Sequence, residues 1–187
     1  MPCGYWKYVF RKYVVDSLTN TDNGLGYTNG DGTNTLRKCI RLANTNAGSD
    51  TITFNVSGMI NYVDSALPVI TDNETIIDAS SRWSGTWPVG SPGVTLNGTG
   101  LSVPGLSLGG VSNCAISGLF ITGFGFGTYI YSGATSNFIG GTTAGARNVI
   151  SGNRGHGVNI NGSGTNNNHV SGNYIGTNAD GTTALET

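Results

Sequence analysis

Two segments of the second half of the chain, SGATSNFIGG (residues 132–141) and SGTNNNHVSG (residues 163–172), carry one pattern 31 residues apart. In each, a Ser-Gly pair is followed by an asparagine, a short apolar strand and a glycine. A second echo, at an offset of 36 residues, relates NFIG (residues 137–140) to NYIG (residues 173–176). Such repetition, at a period of about 20–50 residues, is typical of solenoids, in which successive turns of chain stack on one another.

The linkers between the short strands favour the same architecture. Gly and Asn tolerate positive φ, so strands of about three residues can be joined by sharp corners instead of hairpins. Each coil would form a layer about 4.8 Å tall, held to the next by parallel strand pairing. At about 20–25 residues per coil, residues 50–187 predict roughly six coils around an apolar interior. The side chains expected to point inward are Ile116, Leu119, Ile121, Ile130, Ile139, Val149, Val158, Ile160, Val170 and Ile175.

Asparagines recur at the corners of the repeats. Their side-chain amides can stack into ladders along the axis, each satisfying the donors and acceptors of its neighbours. We therefore predict a structural ladder role for Asn137, Asn148, Asn153, Asn168 and Asn173.

A single helix is predicted at residues 35–43, with Asn34 or Thr35 as its N-cap. Its apolar face consists of Leu36, Ile40 and Ala43, and the charged residues expected to face water are Arg37, Lys38 and Arg41. The helix would cover the first coil and protect its strand edges from pairing with other chains. Residues 1–49 are thus an amino-terminal segment with a capping helix, and residues 50–187 form one continuous domain of coils.

Composition excludes several functional classes. The chain has 187 residues, 31 glycines, only 10% charged residues and a formal net charge of −1. Without a basic excess, nothing draws it to nucleic acid, and no run of 18 apolar residues predicts a membrane span. The start of the chain lacks the apolar stretch of a signal peptide. The three cysteines, Cys3, Cys39 and Cys114, lack metal-ligand spacing; we expect Cys39 and Cys114 to be buried and Cys3 exposed.

Several segments resemble a known family: NTLRKCI (residues 34–40), LPVIT (residues 67–71), TIIDA (residues 75–79) and GNYIGTNADGT (residues 172–182). They are similar to the amino-terminal cap and coils of secreted bacterial right-handed parallel β-helix proteins that carry the CSLREA motif. The Leu-Arg pair and the Ile of that motif match here, whereas its leading Cys and its Glu-Ala do not. The resemblance implies an all-β, right-handed parallel β-helix with an amino-terminal capping α-helix, located outside the cell or on its surface. Proteins of that family are mostly regarded as adhesive or structural.

Catalytic residues are difficult to place on the coils. Parallel β-helix enzymes that cleave polysaccharides need paired carboxylates or a carboxylate-bound cation. No Asp or Glu occurs between Asp78 and Asp180, however. His156 and His169 are expected to point outward, without neighbours at ligand spacing. We therefore expect no catalytic residue, no metal site and no cofactor.

Two short fragments imitate polygalacturonase motifs, Asn20-Thr21-Asp22 and Gly155-His156-Gly157. The paired Asp motif and the Arg-Ile-Lys of that family are missing, and the two fragments lie far apart in the sequence. The loop at residues 22–32 holds acidic and amide side chains that could bind Ca²⁺, but it lacks the spacing of a calcium loop. A glycine-rich insertion is the favoured interpretation of this loop.

The leading functional hypothesis is a non-catalytic structural or adhesive β-solenoid. Its last coil would be open and poor in charge, so copies could self-associate end to end, even into fibres. One alternative is a protein that binds or degrades polysaccharide, with Trp83 and Trp87 as stacking platforms for sugar rings. Another is an amino-terminal fragment of a larger surface adhesin.

Overall fold

The computed structural model describes residues 10–21, 32–62, 65–84, 91–99 and 101–185. Within these ranges the chain is mostly β, with one α-helix, α1 (Leu36–Thr45), and a 3₁₀ turn at Ser80–Arg82. The strands are β1 (Arg11–Val15), β2 (Asp50–Phe54), β3 (Gly58–Asn61), β4 (Ile76–Asp78), β5 (Val94–Asn97), β6 (Pro104–Gly109), β7 (Ala115–Ser117), β8 (Leu119–Thr122), β9 (Phe126–Tyr131), β10 (Phe138–Gly140), β11 (Val149–Ile150), β12 (Val158–Ile160), β13 (His169–Ser171) and β14 (Tyr174–Ile175).

These strands form three parallel sheets. Sheet A has the order β1-β2-β4-β7-β10-β13, sheet B the order β3-β5-β8-β11-β14, and sheet C the order β6-β9-β12. From β4 onward the chain visits sheets A, B and C in turn and then begins again, and we call one such passage a layer. Each layer pairs with the layers before and after it in the sequence. The all-β, parallel organisation predicted from the repeats is confirmed.

Strand register places apolar side chains in rows that run through successive layers. In sheet A the row consists of Ile52, Ile77, Ile116, Ile139 and Val170. The isoleucines of this row are fully buried, and buried side chains from all three sheets join in one core. The spacing between row neighbours varies, with 25 residues from Ile52 to Ile77 but 39 from Ile77 to Ile116. Insertions are therefore accommodated in the corners while the rows stay in register.

The corner between β7 and β8 illustrates why glycine is required at a tight approach. Gly118 has a φ of +77°, in the left-handed region that L side chains avoid. A Cβ at this position would lie 2.4 Å from the backbone nitrogen of Ser80 in the preceding layer. No other residue fits this corner without displacing the neighbouring layer.

Helix α1 covers the amino-terminal end of the stack. Thr35 is its N-cap, and the Thr35 hydroxyl accepts a hydrogen bond from the Lys38 backbone N–H at 3.1 Å. The apolar face predicted from the sequence, Leu36, Ile40 and Ala43, is fully buried in the common core. The helix begins one residue later and ends two residues later than the pattern predicted.

The structure differs from the sequence-based expectations at three other places. Lys38 does not face water but is fully buried, and nearby the Thr21 and Asn20 carbonyls accept hydrogen bonds from Thr35 and Arg37 at the start of the helix. Strand β1 was not predicted at all, and it adds a strand to sheet A ahead of the helix. Val149, expected in the inward row, is fully buried, but it lies in register with Phe120, and Ile150 continues the row of Ile121.

Candidate functional site

Strands β12, β13 and β14 form the carboxy-terminal edge of the three sheets. They pair with β9, β10 and β11 respectively, and directly after β14 the Leu185 N–H donates to the Gly176 carbonyl at 2.8 Å. We call these three strands with their linkers, residues 155–176, the open edge. A strand edge of this kind presents unpaired backbone N–H and C=O groups that can accept a further strand.

The inward side chains of the open edge are exposed. Ile175 ends the sheet B row, in which Ile60, Leu96 and Ile121 are fully buried and Ile150 is nearly so. Ile175 itself is 46% exposed. In the corresponding positions of sheets A and C, Val170 is 39% exposed and Ile160 is 41% exposed. The sequence placed all three in the interior, but no layer lies beyond them among the described residues.

The strands of the open edge contain no acidic or basic side chain other than histidine, but the Arg147 guanidinium lies over the Tyr174 ring at 4.2 Å and its Nε donates to the Gly172 carbonyl at 2.7 Å. Residues 155–179 contain no Asp, Glu, Lys or Arg, and Arg154 and Asp180 flank this stretch. Protein edges are usually protected from pairing by inward-pointing charges, lysines, prolines or bulges. Residues 155–176 contain neither lysine nor proline, so these two protections are missing here.

The five asparagines predicted as ladder residues fasten each layer to the one before. In one column, the Asn137 Oδ1 accepts from the Cys114 N–H at 2.9 Å, and the Asn137 Nδ2 donates to the Val111 carbonyl at 3.0 Å. Asn168 repeats this arrangement one layer on, accepting from the Asn137 N–H at 3.1 Å and donating to Ala134 at 2.9 Å. The Asn137 amide also donates directly to the Asn168 Oδ1 at 2.9 Å.

A second column links Asn148 and Asn173 in the same way. The Asn148 Nδ2 donates to the Asn173 Oδ1 at 3.1 Å, and the Asn148 backbone N–H donates to the same oxygen at 3.0 Å. Asn153 marks a third corner, where it bonds the Phe124 N–H and the Ile121 carbonyl of the preceding layer. The pairs therefore join residues of successive layers, 137 with 168 and 148 with 173, rather than asparagines that are close in the sequence.

Both histidines lie in the open edge and stack on phenylalanines of the preceding layer. The His169 ring lies 5.0 Å from the Phe138 ring at 8°, and the His156 ring lies 5.7 Å from Phe126 at 8°. Both imidazoles are exposed, as the sequence predicted. Among the described residues no group of three or more His, Cys, Asp or Glu side chains could hold a metal ion.

Of the two tryptophans proposed as platforms for sugar rings, Trp83 lies within the described residues. Trp83 follows the 3₁₀ turn and is partly buried, and its indole Nε1 has no hydrogen-bond partner among the described residues. Trp87 lies outside the described residues, as do Asp22, Cys3 and nearly all of the loop at residues 22–32. Thr21 borders the start of α1, where its carbonyl accepts from the Thr35 hydroxyl at 2.7 Å.

Ionisable groups with perturbed pKa values lie near the capped end instead of the open edge. Burial raises the pKa of Asp50 to about 6; Arg11 opposes this shift and Asp72 adds to it. Neither carboxylate oxygen of Asp50 has a hydrogen-bond partner within the described ranges. Burial also raises the pKa of the Cys39 and Cys114 thiols, to about 12 and about 11, and both cysteines are free and buried. Such thiols are poor nucleophiles near neutral pH.

Comparison with known proteins adds no family. No protein-family model matches the chain, and no curated protein matches it significantly. In the described part of the structure, no helix is long and apolar enough to cross a membrane.

Proposed function

We propose that the protein is a right-handed parallel β-helix that serves as a non-catalytic structural or adhesive module outside the cell or on its surface. The repeated passage through three parallel sheets supports a solenoid, since each layer pairs only with its neighbours. The asparagine columns support it further, because amide ladders at the corners require layers that stack in register. The sequence resemblance to secreted β-helix proteins supports the location.

The module acts by self-association through the open edge. The observation that carries this proposal is the exposure of Ile160, Val170 and Ile175 in positions whose row neighbours are buried. Covering these side chains with another chain would remove apolar area from water and would pair the outer backbone groups of β12 and β13. Residues 155–179 contain no Asp, Glu, Lys or Arg, so the only charge against β14 among the described residues is the Arg147 guanidinium over the Tyr174 ring.

Light scattering of the purified chain over a concentration series tests this function, with negative-stain electron microscopy of the same samples. We expect a mass above the 19.3 kDa of one chain, increasing with concentration. The variant Ile175→Lys should return the mass to that of the monomer because it buries a charge in the contact. A constant monomer mass at every concentration, with the amides of β12, β13 and β14 protected from hydrogen exchange, would exclude self-association through this edge.

A further inference from the structure

The column that contains Asn137 and Asn168 continues toward the capped end with other residue types. Each member directly precedes a residue of one paired row in sheet A, which consists of Thr51, Ile76, Ala115, Phe138 and His169. From the capped end, the column therefore runs through Asp50, Thr75, Cys114, Asn137 and Asn168. One structural position is thus occupied in successive layers by an acid, an alcohol, a thiol and two amides.

Every member of this column except Asp50 donates a hydrogen bond from its side chain to a backbone carbonyl. The Asn168 and Asn137 amides donate to carbonyls of the layer before them. The Cys114 thiol and the Thr75 hydroxyl both donate to the Asp72 carbonyl, at 3.4 and 3.0 Å. Amides, thiols and hydroxyls all carry a donor, whereas a carboxyl group has one only when it is protonated.

Asp50 is buried without any hydrogen bond to support a charge. Its side chain is fully buried, and neither carboxylate oxygen has a partner within the described ranges. The Asp72 Oδ2, in the turn before β4, is likewise buried without a partner among the described residues. Burial without hydrogen bonds favours the neutral form of a carboxyl group. A single proton on Asp50 would supply the donor that this position has in every other layer.

The charged and titratable groups around Asp50 lie on β1 and in the turn before β4. Arg11, the register partner of Asp50 on β1, favours the charged carboxylate, and Asp72 disfavours it. The charge of Asp50 in turn helps to raise the pKa of Tyr13, after the larger effect of burial. Glu74 lies beyond Asp72, where its carboxylate accepts a hydrogen bond from the Ser49 hydroxyl.

Arg11 does not neutralise Asp50 through a hydrogen bond. Its Nη1 donates instead to the Asn46 and Ala47 carbonyls, at 3.4 and 3.2 Å, and so ties β1 to the segment that follows α1. An ionised Asp50 would compete with these carbonyls for the guanidinium. Ionisation therefore acts on the contact that holds β1 in place.

We propose that Asp50 is a proton-controlled member of the column, which fastens β1 to the first coil in acid and loosens it when the carboxyl group ionises. As a neutral acid, Asp50 has the donor that the other members have, and the Asp72 Oδ2 is a buried acceptor. On ionisation the donor is lost, and two negative charges face each other in a buried site. Strand β1 can respond because, within the described ranges, it pairs only with β2. This device operates within one chain and does not depend on self-association.

Hydrogen exchange across the contact between β1 and β2, followed by NMR from pH 4 to 8, tests the device. The probes are the Arg11 N–H, which donates to the Ser49 carbonyl at 3.2 Å, and the Asn55 N–H, which donates to the Val15 carbonyl at 2.8 Å. Burial raises the pKa of Asp50 to about 6, so the fastening is complete below about pH 4 and is lost as pH rises through about 6. After correction for the intrinsic pH dependence of exchange, protection of both amides should fall by as much as about 100-fold, which corresponds to the difference between a pKa of about 6 and one of about 3.9.

Two variants show whether Asp50 is responsible. Asp50→Asn introduces the amide found further along the column and should remove the pH dependence, with protection at pH 7 above that of the parent chain. Asp78→Asn is the matched control in the same sheet. Asp78 follows the inward Ile77 and lies on the other side of β4, where its Oδ1 accepts from the Ser80 N–H at 2.8 Å and the Ser117 hydroxyl at 3.1 Å. This control should keep the full pH dependence.

Titration of the Asp50 side-chain carboxyl carbon by NMR, on the parent chain, identifies the group directly. We expect a midpoint at about pH 6. A midpoint near the ordinary value of about 3.9 would overturn the proposal, and so would protection of β1 that stays constant through the midpoint. Persistence of the pH dependence in Asp50→Asn would assign it to another group and would also overturn the proposal. Because the titration uses the parent chain, it tests the proposal even if Asp50→Asn fails to fold.

Discussion

Ile60 and Ile175 stand at opposite ends of one row in sheet B, yet their surroundings differ completely. Ile60 is fully buried beside the end that α1 covers, whereas Ile175 exposes 46% of its surface on the open edge. In sheet A, Tyr13 on β1 extends the row of Ile52 at the capped end and is 6% exposed, whereas Val170 on the open edge is 39% exposed. An identical strand pattern thus produces core at one end and an exposed apolar surface at the other. What distinguishes the ends is the cover that α1 and Leu18 form, and not the repeat.

The largest expected effect comes from truncating Ile60 and Ile175 to alanine. Ile60→Ala should lower the free energy of unfolding by about 2–5 kcal/mol, because it leaves a cavity in packed core. Ile175→Ala should cost less than about 1 kcal/mol in the monomer, because the removed atoms are already partly in water. Urea unfolding at concentrations below self-association measures both. Equal losses would mean that Ile175 is covered in the monomer and that the open edge is not a free surface.

The asparagine columns allow a second comparison between interior and edge. Asn137 is fully buried, so Asn137→Ala leaves the Cys114 N–H and the Val111 carbonyl without these hydrogen-bond partners. We expect a loss of about 2–6 kcal/mol, given about 1–3 kcal/mol for each of the two buried unsatisfied groups. Asn168→Ala should cost about 1 kcal/mol, since water reaches the half-buried last layer.

Asn166→Ala is the control for both asparagine variants. Asn166 is exposed, and its Nδ2 donates to Gly164 within the same turn at 3.1 Å. Its replacement should leave the urea midpoint nearly unchanged. A larger loss for Asn168→Ala than for Asn137→Ala would contradict the view that the columns fasten the interior layers most strongly.

Much of this arrangement was predictable from local sequence. The helix at α1 followed from Thr35, Leu36 and Ile40, because capping and apolar spacing are local signals. The parallel layers followed from the echoes at 31 and 36 residues, and the first echo also relates Asn137 to its column partner Asn168. These features could be predicted because the residues that form them recur at a recognisable spacing along the chain.

The rest depends on contacts between distant segments. Lys38 was predicted to face water, because the helical pattern does not reveal that the fold encloses its side chain. Strand β1 pairs with β2 across about 40 residues without a repeat to mark it. The Val149 register was wrong by one residue because corner lengths vary, and a one-residue slip reverses the side that a strand presents. The exposure of Ile160 was missed since composition does not show which layer lacks a cover.

The capped end should also respond to pH through Asp50. The pKa of Asp50 is raised by burial to about 6, above the value of about 3.9 for an unfolded chain. The folded state therefore holds the proton more tightly, so the contribution of Asp50 to stability is fully present below about pH 4 and is lost as pH rises through about 6. The loss is at most about 3 kcal/mol at about 1.4 kcal/mol per pKa unit.

Asp50→Asn isolates this contribution. The variant should be more stable than the parent chain at pH 7 and should lose the decline between pH 4 and 6, as measured by thermal unfolding across that range. Asp180→Asn is the control at the other end of the molecule, because Asp180 is only half-buried and hydrogen bonds from Thr182 hold its pKa below the ordinary value. A parent chain whose stability rises from pH 4 to 6, with Asp50→Asn flattening that rise, would reverse the sign assigned to Asp50.

The smallest effect expected at the capped end concerns the start of α1, and it separates stability from association. Thr35→Ala removes the N-cap acceptor of the Lys38 N–H and the donor to the Thr21 carbonyl, and it should cost about 1 kcal/mol. Thr35→Ser keeps both hydrogen bonds and should lose only a few tenths of that. Because so small a loss leaves the helix formed in most molecules, Thr35→Ala should lower the urea midpoint without changing the mass measured by light scattering. A larger mass for Thr35→Ala than for the parent chain would contradict this. It would mean that the N-cap alone holds the helix over the amino-terminal end, and that loosening the helix exposes a surface to which a second copy binds.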